Sequence, residues 1–362
     1  MRPAEQTALV VESARALGFD LCGVAPAEDF PELSRLPEWL SSGRAGEMRY
    51  LADSRRHSPA AAMPGARSVI VCALNYNTDH PHSTEFAASS ESGCGWISRY
   101  AWGEDYHLVL KKKLELLIEK MRARFDEPFE ARAYVDTGPI VERVAAKHAG
   151  LGWLGKNTCL IHEQLGSWLF LGVILTNLDL APSLGPGEPP PADLCGNCTL
   201  CLDACPTGAL TEAYVMDARL CISYLTIELR GSVPEKLREP MGLHVFGCDI
   251  CQDVCPWNRR APASPAPEFQ PRQMGGQTVL APELEWLAGL AESDFQRIFR
   301  KSAVKRAKWQ GLVRNACIAL GNSAPQPGTP AQDRVGRILD RLAASPDAVV
   351  AESAGWALAR IQ

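Results

Sequence analysis

The sequence lacks any hydrophobic run long enough to cross a membrane. Its longest apolar stretch, WLFLGVIL, covers residues 168–175 of a 362-residue chain, whereas a transmembrane helix needs about 20 apolar residues. The N-terminal stretch also lacks the continuous apolar segment of a secretory signal peptide, and Arg2 is its only early basic residue. We therefore expect a cytoplasmic protein with no membrane contact.

The composition lacks the biases of disordered, fibrous or secreted chains. Hydrophobic residues make up 46% and charged residues 22%, with a formal net charge of −5, which is ordinary for a globular protein. The thirteen cysteines stand out. Because cytoplasmic thiols stay reduced, we interpret them as metal ligands and core residues rather than disulfides.

Stretches rich in proline and glycine divide the chain into three predicted domains. The first, 1–180, alternates between helical and strand-like patterns, which indicates an α/β or α+β core. Most cysteines fall in the second, 181–260, which opens with the boundary stretch APSLGPGEPPPAD. A linker at 259–277 leads to the third, 278–362, which is helical in pattern and whose antiparallel pairs are HEAT-like.

Within the first domain the hydrophobic pattern predicts individual elements. We predict strands at 68–74, 130–136 and 167–176. We predict helices at 5–17, 105–125 and 139–150, the last with Pro139 at its start and Gly150 at its end.

Two cysteine groups carry the strongest functional signal. Cys195-x2-Cys198-x2-Cys201-x3-Cys205-Pro has the spacing of bacterial ferredoxins, in which the fourth cysteine binds the other of two 4Fe–4S clusters. A second group ends in another Cys-Pro, and Cys221 lies between the groups. We assign one cluster to Cys195, Cys198, Cys201 and Cys255, and the other to Cys205, Cys221, Cys248 and Cys251.

Paired structural zinc sites are the alternative for these cysteines, because zinc sites also use C-x2-C pairs. No histidine lies within either group, and both groups end in C-x3-C-P. These features favour iron–sulfur clusters.

Two motifs of the first domain resemble cofactor signatures in the wrong context. GLGWLG at 150–155 spells G-x-G-x-x-G, but it follows a predicted helix instead of a strand, so we interpret it as a helix end and a turn. DYHLVL at 105–110 resembles the D-x-H-x-x-G motif that gives cobalt a histidine ligand in some cobalamin enzymes. Leu110 stands in place of the glycine, so we interpret His107 as a surface or packing residue.

Asp136, in YVDTGP, has two interpretations. It stands where a strand is predicted to end and a helix to begin, which favours a helix N-cap formed by Asp136 or Thr137. Alternatively, it is a carboxylic acid at the mouth of an apolar cleft, kept protonated enough to donate a proton.

Taken together, these stretches resemble the epoxyqueuosine reductases, which are cobalamin and iron–sulfur enzymes of tRNA modification. The resemblance covers most of the chain and rests on MPGARSVIVCALNY, RYAWGEDYH, YVDTGPIVERVAAKHAGLGWLGKNTCLI, CISYLTIE and the two cysteine groups. It implies a nitroreductase-like α+β core, similar to that of reductive dehalogenases, that binds cobalamin without a histidine on cobalt.

The resemblance also implies roles for individual residues. Asp136 matches the proton donor that acts when reduced cobalt opens the epoxide, with electrons relayed by the two clusters from an external low-potential donor. The cobalamin contacts that it implies are Arg56, Arg99, Tyr100, Asp136, Lys156, Asn157, Gly172, Ser223 and Asp249. Trp102 and Val173 depart from the family pattern, and we expect both at the edge of the cofactor pocket.

A tRNA substrate, with epoxyqueuosine in its anticodon stem-loop, requires a cationic surface. FQRIFRKSAVKRAKWQGLVR, at 295–314, contains seven basic and no acidic residues, which predicts either a phosphate-binding patch or an ordinary solvated helix face. Its aromatic residues have the spacing of core positions. The basic positions are Arg297, Arg300, Lys301, Lys305, Arg306, Lys308 and Arg314.

Two other functions remain open at this point. One is a reductive dehalogenase-like enzyme for a small molecule, which the basic stretch and the absence of a twin-arginine export signal disfavour. The other is a non-catalytic electron-transfer subunit, which would need neither cobalamin nor a proton donor. A monomer is compatible with all three functions.

Overall fold

The computed structural model describes residues 1–89 and 93–362, and among residues 87–89 it describes the backbone alone. The helices are α1 (Pro3–Ala16), α2 (Leu36–Ser41), α3 (Pro59–Ala62), α4 (Ser83–Ser89), α5 (Tyr106–Arg124), α6 (Glu142–His148), α7 (Leu200–Asp203), α8 (Ile222–Ile227), α9 (Glu235–Arg238), α10 (Ile250–Asp253), α11 (Leu284–Ala288), α12 (Glu292–Ile298), α13 (Lys308–Ser323), α14 (Pro330–Ala343) and α15 (Ala348–Ile361). The strands are β1 (Leu21–Pro26), β2 (Ser68–Asn75), β3 (Trp96–Ile97), β4 (Ala131–Tyr134), β5 (Trp153–Leu154), β6 (Leu160–Ile161), β7 (Leu169–Thr176), β8 (Leu210–Glu212), β9 (Val215–Met216), β10 (His244–Phe246), β11 (Gln273–Met274) and β12 (Gln277–Thr278). None of the described helices is long and apolar enough to span a membrane.

The first part of the chain forms a four-stranded antiparallel sheet in the order β1-β2-β7-β4. Helices α1 and α5 pack on one face and α6 on the other. Ile70 and Cys72 of β2 face the α5 side, while Val69 and Val71 face the α6 side. Because both faces are covered, the strand reads as a continuous apolar run, and the prediction of a buried strand is confirmed. The antiparallel pairing makes this region α+β.

The cysteine region consists of short elements between the sheet and the C-terminal helices. Strand β10 pairs in parallel with β3, which ties this region to the stretch that precedes α5. Side chains from β3 and β10 share one hydrophobic core with α11 and α13, including Trp96, Phe246, Leu284 and Leu312. The last helices, α13, α14 and α15, pack against one another, so the prediction of a helical C-terminal region is confirmed.

Two predictions about connecting segments need correction. The helix predicted at 139–150 begins only at Glu142, and Pro139 precedes it in an irregular turn. The stretch 259–277 is largely irregular before β11 but is not a free linker. The carbonyls of Pro262 and Ala261 accept hydrogen bonds from the side chains of Asn75, at the end of β2, and Asn77, and Phe269 is buried against Phe170.

The glycines of GLGWLG lie in a turn, as expected. Gly150 follows the end of α6 with a φ of 80°, and Gly152 has a φ of 151°. A side chain at Gly152 would collide with the backbone of Ile161 in the paired strand β6. The interpretation as a helix end and turn is confirmed.

Candidate cluster sites and active site

One candidate cluster site is a cavity of about 250 Å³ between the two cysteine groups. Cys255 comes from the second group, and its buried thiol joins three thiols of the first group in the cavity wall. Trp257 packs edge-on against Trp153 beside it, with ring centroids 5.0 Å apart. The thiols that line the cavity are Cys195, Cys198, Cys201 and Cys255, which is the set assigned to one cluster from the spacing.

The other four cysteines form a second neighbourhood. Burial raises the pKa of Cys248 well above its ordinary value, and the nearby thiols of Cys221 and Cys205 raise it further. Cys251 is partly buried, and its pKa is raised by burial and by the neighbouring thiols, of which Cys159 has the largest effect, followed by Cys248, Cys221 and Cys201. An apolar, thiol-rich environment of this kind stabilises neutral thiols. Because iron binds the thiolate, a bound cluster would supply the positive charge that these ligands need in order to lose their protons.

The thiols surround a volume instead of converging on a point. Across residues 1–89 and 93–362, no group of three or more Cys, His, Asp or Glu side chains is arranged to hold a single metal ion.

Lys156 and Asn157 attach the turn after β5 to the cysteine loops. Lys156 Nζ donates to the carbonyl oxygens of Gly196 at 2.6 Å and Cys198 at 3.0 Å. The buried Asn157 side chain donates from Nδ2 to the carbonyl of Cys251 at 3.2 Å. Both residues therefore hold the cluster loops in place, and their predicted contact with cobalamin stays a prediction.

Asp136 lies in the turn that follows β4, with an exposed side chain and a left-handed backbone at φ 53°. It is not a helix cap: α6 begins six residues later, and its N-cap, Val141, makes no side-chain capping bond. The N-cap interpretation of Asp136 and Thr137 is therefore wrong. Non-glycine residues tolerate this backbone region poorly, although aspartate is among those that enter it most often.

The start of α5 holds Asp136 from the opposite side. Tyr106 Oη donates to Asp136 Oδ2 at 3.0 Å, and His107 Nε2 lies 3.4 Å from the same oxygen. His107 Nδ1 lies 2.8 Å from Asp105 Oδ1, and Asp105 also caps the helix by accepting from the backbone N–H of His107. Since His107 sits between two carboxylates, its interpretation as a surface or packing residue is wrong.

The charges of this cluster differ from the sequence-based expectation. Burial opposes a charge on His107, but Asp105 and Asp136 raise its pKa to about 9. Burial would raise the pKa of Asp136, but the hydrogen bond and charge of His107, together with Tyr106 and Arg143, hold it below its ordinary value. At neutral pH these shifts place the proton on the imidazole and leave Asp136 as a carboxylate, which differs from the carboxylic acid of the second interpretation.

A second carboxyl group lies near Asp136. Glu142, at the start of α6, has a buried Oε1 without a hydrogen-bond partner. Burial and the negative charge of Asp136 raise its pKa to about 7. The site thus contains a carboxyl group that is partly protonated near neutral pH.

Arg99 and Asp249, both predicted cofactor contacts, are buried and form hydrogen bonds within the protein. The Arg99 guanidinium lies between the rings of Trp102 and Trp168 and donates to the carbonyls of Thr78, His80 and Pro81. Asp249 accepts from the side chains of Trp96 and Ser98 and from the backbone N–H of Arg99 at 2.8 Å. Their predicted contact with cobalamin stays a prediction, and Arg99 Nε has no hydrogen-bond partner among the described residues.

The other predicted contacts occupy different environments. Arg56 is buried and donates to the carbonyls of Tyr50 and Ile140. Tyr100 packs edge-on against Tyr106 beside Asp136, with ring centroids 5.9 Å apart. Ser223 lies in the first turn of α8, directly after Cys221.

Three residues, Gly172, Trp102 and Val173, pack within the sheet and the segment beside it. A side chain at Gly172 would collide with Leu114 of α5. Trp102 and Val173 are both fully buried, so they belong to the hydrophobic core, and the expectation that they line the pocket edge is wrong.

The basic stretch 295–314 is divided between core and surface. Arg314 is fully buried and donates to the carbonyls of Leu229, Gly231 and Leu225, so it is not part of a surface patch. Phe295 and Phe299 are core residues, as expected. The exposed cations are Arg297, Arg300, Lys301, Lys305, Arg306 and Lys308.

Comparisons with known proteins agree with this geometry. The family model described as "Epoxyqueuosine reductase QueG, DUF1730" matches residues 56–137, and "4Fe-4S double cluster binding domain" matches residues 194–258. The epoxyqueuosine reductase of Gloeobacter violaceus is 45% identical over 88% of this chain and 97% of its own length. That of Pseudomonas aeruginosa is 37% identical over 99% of this chain and 95% of its own length.

The chain belongs to the epoxyqueuosine reductase family. Solved structures of the family share its fold. One, of an epoxyqueuosine reductase with an epoxyqueuosine-modified tRNA-Tyr stem loop, superposes with a TM-score of 0.84 at 31% identity and covers 97% of this chain and 89% of its own. The structure of the Streptococcus thermophilus enzyme gives a TM-score of 0.80 with the same identity and coverage.

For this epoxyqueuosine reductase family member, sequence reasoning missed the partners of Asp136. His107 was noticed but assigned to packing, because the decision rested on a missing glycine. Glu142 was passed over as a helix residue. The usable signal was Asp105, which can cap a helix and bind a histidine two residues later at the same time.

Proposed function

We propose that the protein reduces epoxyqueuosine in tRNA to queuosine, using electrons relayed by two 4Fe–4S clusters to cobalamin. The observation that carries this is the similarity, over 97% of the chain, to the epoxyqueuosine reductase solved with an epoxyqueuosine-modified tRNA stem loop. The matching double-cluster domain at residues 194–258 supports the relay.

The residues present fit the clusters. Eight free cysteines form two neighbourhoods, and four of them line one cavity. Each 4Fe–4S cluster takes four thiolates, so the number and grouping match two clusters. We therefore propose the ligand sets stated above, with Cys255 crossing to the first group and Cys205 crossing to the second.

The residues around Asp136 fit a large ligand with amide side groups. Among the described residues, Glu142 Oε1 and His107 Nε2 are buried polar atoms without a hydrogen-bond partner. The side chain of Asp136 is 64% exposed to solvent. Cobalamin, when bound and reduced, supplies a strongly nucleophilic and reducing centre. We propose contacts from Tyr100, Ser223 and the backbone near Arg99, with Arg56 and Asn157 supporting the wall.

Asp136 is the proposed site of proton delivery to the substrate. An epoxide oxygen that leaves without a proton would be an alkoxide, which is a poor leaving group, so an acid within hydrogen-bond reach lowers the barrier. Tyr106 and His107 fix the carboxylate of Asp136 in one orientation. Its exposure allows a base that is turned out of the tRNA to reach it.

The tRNA partner and the wider setting belong to the same proposal. The exposed cations of the stretch 295–308 are suited to the phosphates of an anticodon stem-loop. We propose three domains with the predicted boundaries, a nitroreductase-like core, a HEAT-like C-terminal domain, and a cytoplasmic monomer supplied by an external low-potential electron donor.

The test is turnover of the reconstituted protein on its substrate. The anaerobic protein is incubated with reductant, cobalamin and epoxyqueuosine-containing tRNA, and the nucleosides are measured by mass spectrometry. We expect the loss of one oxygen atom per modified base, and no loss would reject the function. Asp136→Asn keeps the shape and the turn, because Asn tolerates positive φ, and it should lower the rate about 100-fold or more. Near-normal turnover of this variant would exclude Asp136 as the donor.

A further inference from the structure

The reaction needs more protons than Asp136 can hold. Converting an epoxide to an alkene breaks two C–O bonds, forms one C=C bond and releases the oxygen as water, which consumes two electrons and two protons. The electrons come from the external donor through the clusters. Because Asp136 is a carboxylate at rest, both protons must reach it from another group.

The start of α5 provides a continuous path to such a source. Asp105, His107 and Asp136 form a chain in which Asp105 Oδ1 is 2.8 Å from His107 Nδ1, and His107 Nε2 is 3.4 Å from Asp136 Oδ2. Nδ1 is within hydrogen-bond distance of Asp105, whereas Nε2 faces Asp136 at ion-pair distance and makes no hydrogen bond with a described residue, so the Nε2 proton is not committed to another acceptor. Only Asp136 has most of its side chain open to solvent, at 64%.

We propose that His107 stores the proton that Asp136 delivers, so that the chain Asp105–His107–Asp136 reprotonates the substrate-facing carboxylate within one turnover. This inference rests on the proposed function. His107 does not touch the substrate in this scheme and is a positioning and proton-storage residue. The imidazolium transfers its Nε2 proton to the Asp136 carboxylate, which delivers it to the departing oxygen and becomes a carboxylate again. Solvent then reprotonates the neutral imidazole, and the second proton follows the same route, so that two protons reach the substrate in each turnover.

The charges around the chain agree with this assignment. The pKa of His107 is raised to about 9, while that of Asp136 is lowered, so the resting pair is imidazolium and carboxylate. Other elements contribute charges on both sides. The titratable and charged groups that face the pair are Tyr100, Tyr106, Arg143, Glu142, Tyr50, Arg56, Arg306 and, at Asp105, Arg272.

Glu142 is the competing store. Its pKa of about 7 makes it partly protonated at neutral pH, and its Oε1 has no hydrogen-bond partner among the described residues. However, no hydrogen bond or ion pair connects it to Asp136, whereas His107 lies at 3.4 Å. The direct contact favours His107, and Glu142→Gln distinguishes the two.

The first measurement needs neither substrate nor cobalamin. In the full-length protein, the imidazole 15N signals of the seven histidines are followed with pH, and His107→Gln identifies the signal of His107. We expect its titration near pH 9, well above the ordinary value of about 6.5, and a shift toward the ordinary value in Asp136→Asn and in Asp105→Asn. Asparagine remains a good N-cap, so Asp105→Asn removes the charge without removing the cap. Titration of His107 at its ordinary value in the wild type would overturn the proposal.

The second measurement is the pH dependence of single turnover by pre-reduced enzyme. The wild type should hold its rate up to about pH 9, where the imidazolium is lost. His107→Gln should lower the rate at pH 8 by about 10-fold or more and move the alkaline limb to lower pH, while Glu142→Gln and the exposed-surface control Lys111→Gln keep the wild-type limb. A uniform decrease in His107→Gln with an unmoved limb would show a merely structural role and overturn the proposal. If the alkaline limb of the pH–rate profile moved in Glu142→Gln instead, Glu142 would be the residue that stores the proton. An inactive wild type would reject the proposed function, and the 15N titration would still decide the state of His107.

Discussion

Cys255 and Cys195 line the same cavity, although they belong to different cysteine groups. If this cavity holds one cluster, the two residues must affect the same cluster when they are replaced. We expect Cys255→Ala and Cys195→Ala to reduce the iron content from about eight to about four atoms per chain and to alter the same electron paramagnetic resonance signal. Cys205→Ala and Cys248→Ala should alter the other signal.

Cys317→Ala is the matched control for these variants, because Cys317 is buried in α13 within the C-terminal core. It should keep both signals and the full iron content. If Cys255→Ala altered the same resonance signal as Cys248→Ala, and not the signal that Cys195→Ala alters, the crossed ligand sets would be contradicted.

Replacing Lys156 tests whether its side chain holds a cysteine loop in place or contacts the cofactor. Its ammonium group donates to two carbonyl oxygens in the loop that bears Cys195 and Cys198. Lys156→Met keeps the aliphatic length and removes both bonds, so we expect faster loss of one cluster under oxygen and an unchanged affinity for cobalamin, measured by absorbance titration. Weaker cobalamin binding with normal cluster lifetime would instead support the direct contact implied by the family resemblance. Lys111→Gln, on the exposed face of α5, is the control.

The ferredoxin-like spacing predicted that Cys255 lies with Cys195, Cys198 and Cys201, and these four residues line one cavity. The role of Asp136 could not be resolved in the same way. Its local sequence favoured a cap, and the partners that exclude this, Tyr106 and His107, belong to another helix. Only the packing of α5 against the sheet brings them together.

Buried charges were the other source of error. Arg314 looked like part of a cationic surface, and Arg99 like a free cofactor ligand. Both donate to backbone carbonyls of distant segments, although Arg99 Nε has no partner among the described residues. Side-chain patterns do not reveal where a loop leaves its carbonyls unpaired, so the sequence carried no signal for these two roles.

Glu32 gives a stability prediction with a defined pH dependence. It accepts from Lys147 Nζ at 2.7 Å and lies 2.9 Å from His148 Nε2, both at the end of α6. Burial would raise its pKa, but these two partners lower it to about 2. A lowered pKa means that the stabilisation is complete above the unfolded value of about 4.3 and is lost as the pH falls toward 2.

Glu32→Gln should therefore lower the free energy of unfolding by roughly 1–2 kcal/mol, by an amount that stays constant between pH 8 and pH 5. Thermal unfolding of the anaerobic protein at several pH values measures this. A loss that changes between pH 8 and pH 6 would contradict a contact whose pH dependence is set by Glu32. Glu38→Gln, an exposed position on the neighbouring α2, is the control.

The exposed cations at Lys301 and Lys305 predict how tRNA binding depends on salt. Each phosphate contact that releases a counterion steepens the dependence of log K on log salt by roughly 0.7–0.9. If both lysines contact the phosphate backbone, the double variant Lys301→Gln/Lys305→Gln should bind the stem-loop more weakly at low salt and show a slope smaller by roughly 1.5. Arg297→Gln is the matched control. Arg297 is exposed on the same stretch but is already paired with Asp294 at 2.8 Å, so its replacement changes the local charge without removing a contact to phosphate. Fluorescence anisotropy with labelled stem-loop from 50 to 300 mM salt measures both quantities. An unchanged slope in the double variant would show that the run is an ordinary solvated helix face and that the tRNA lies elsewhere.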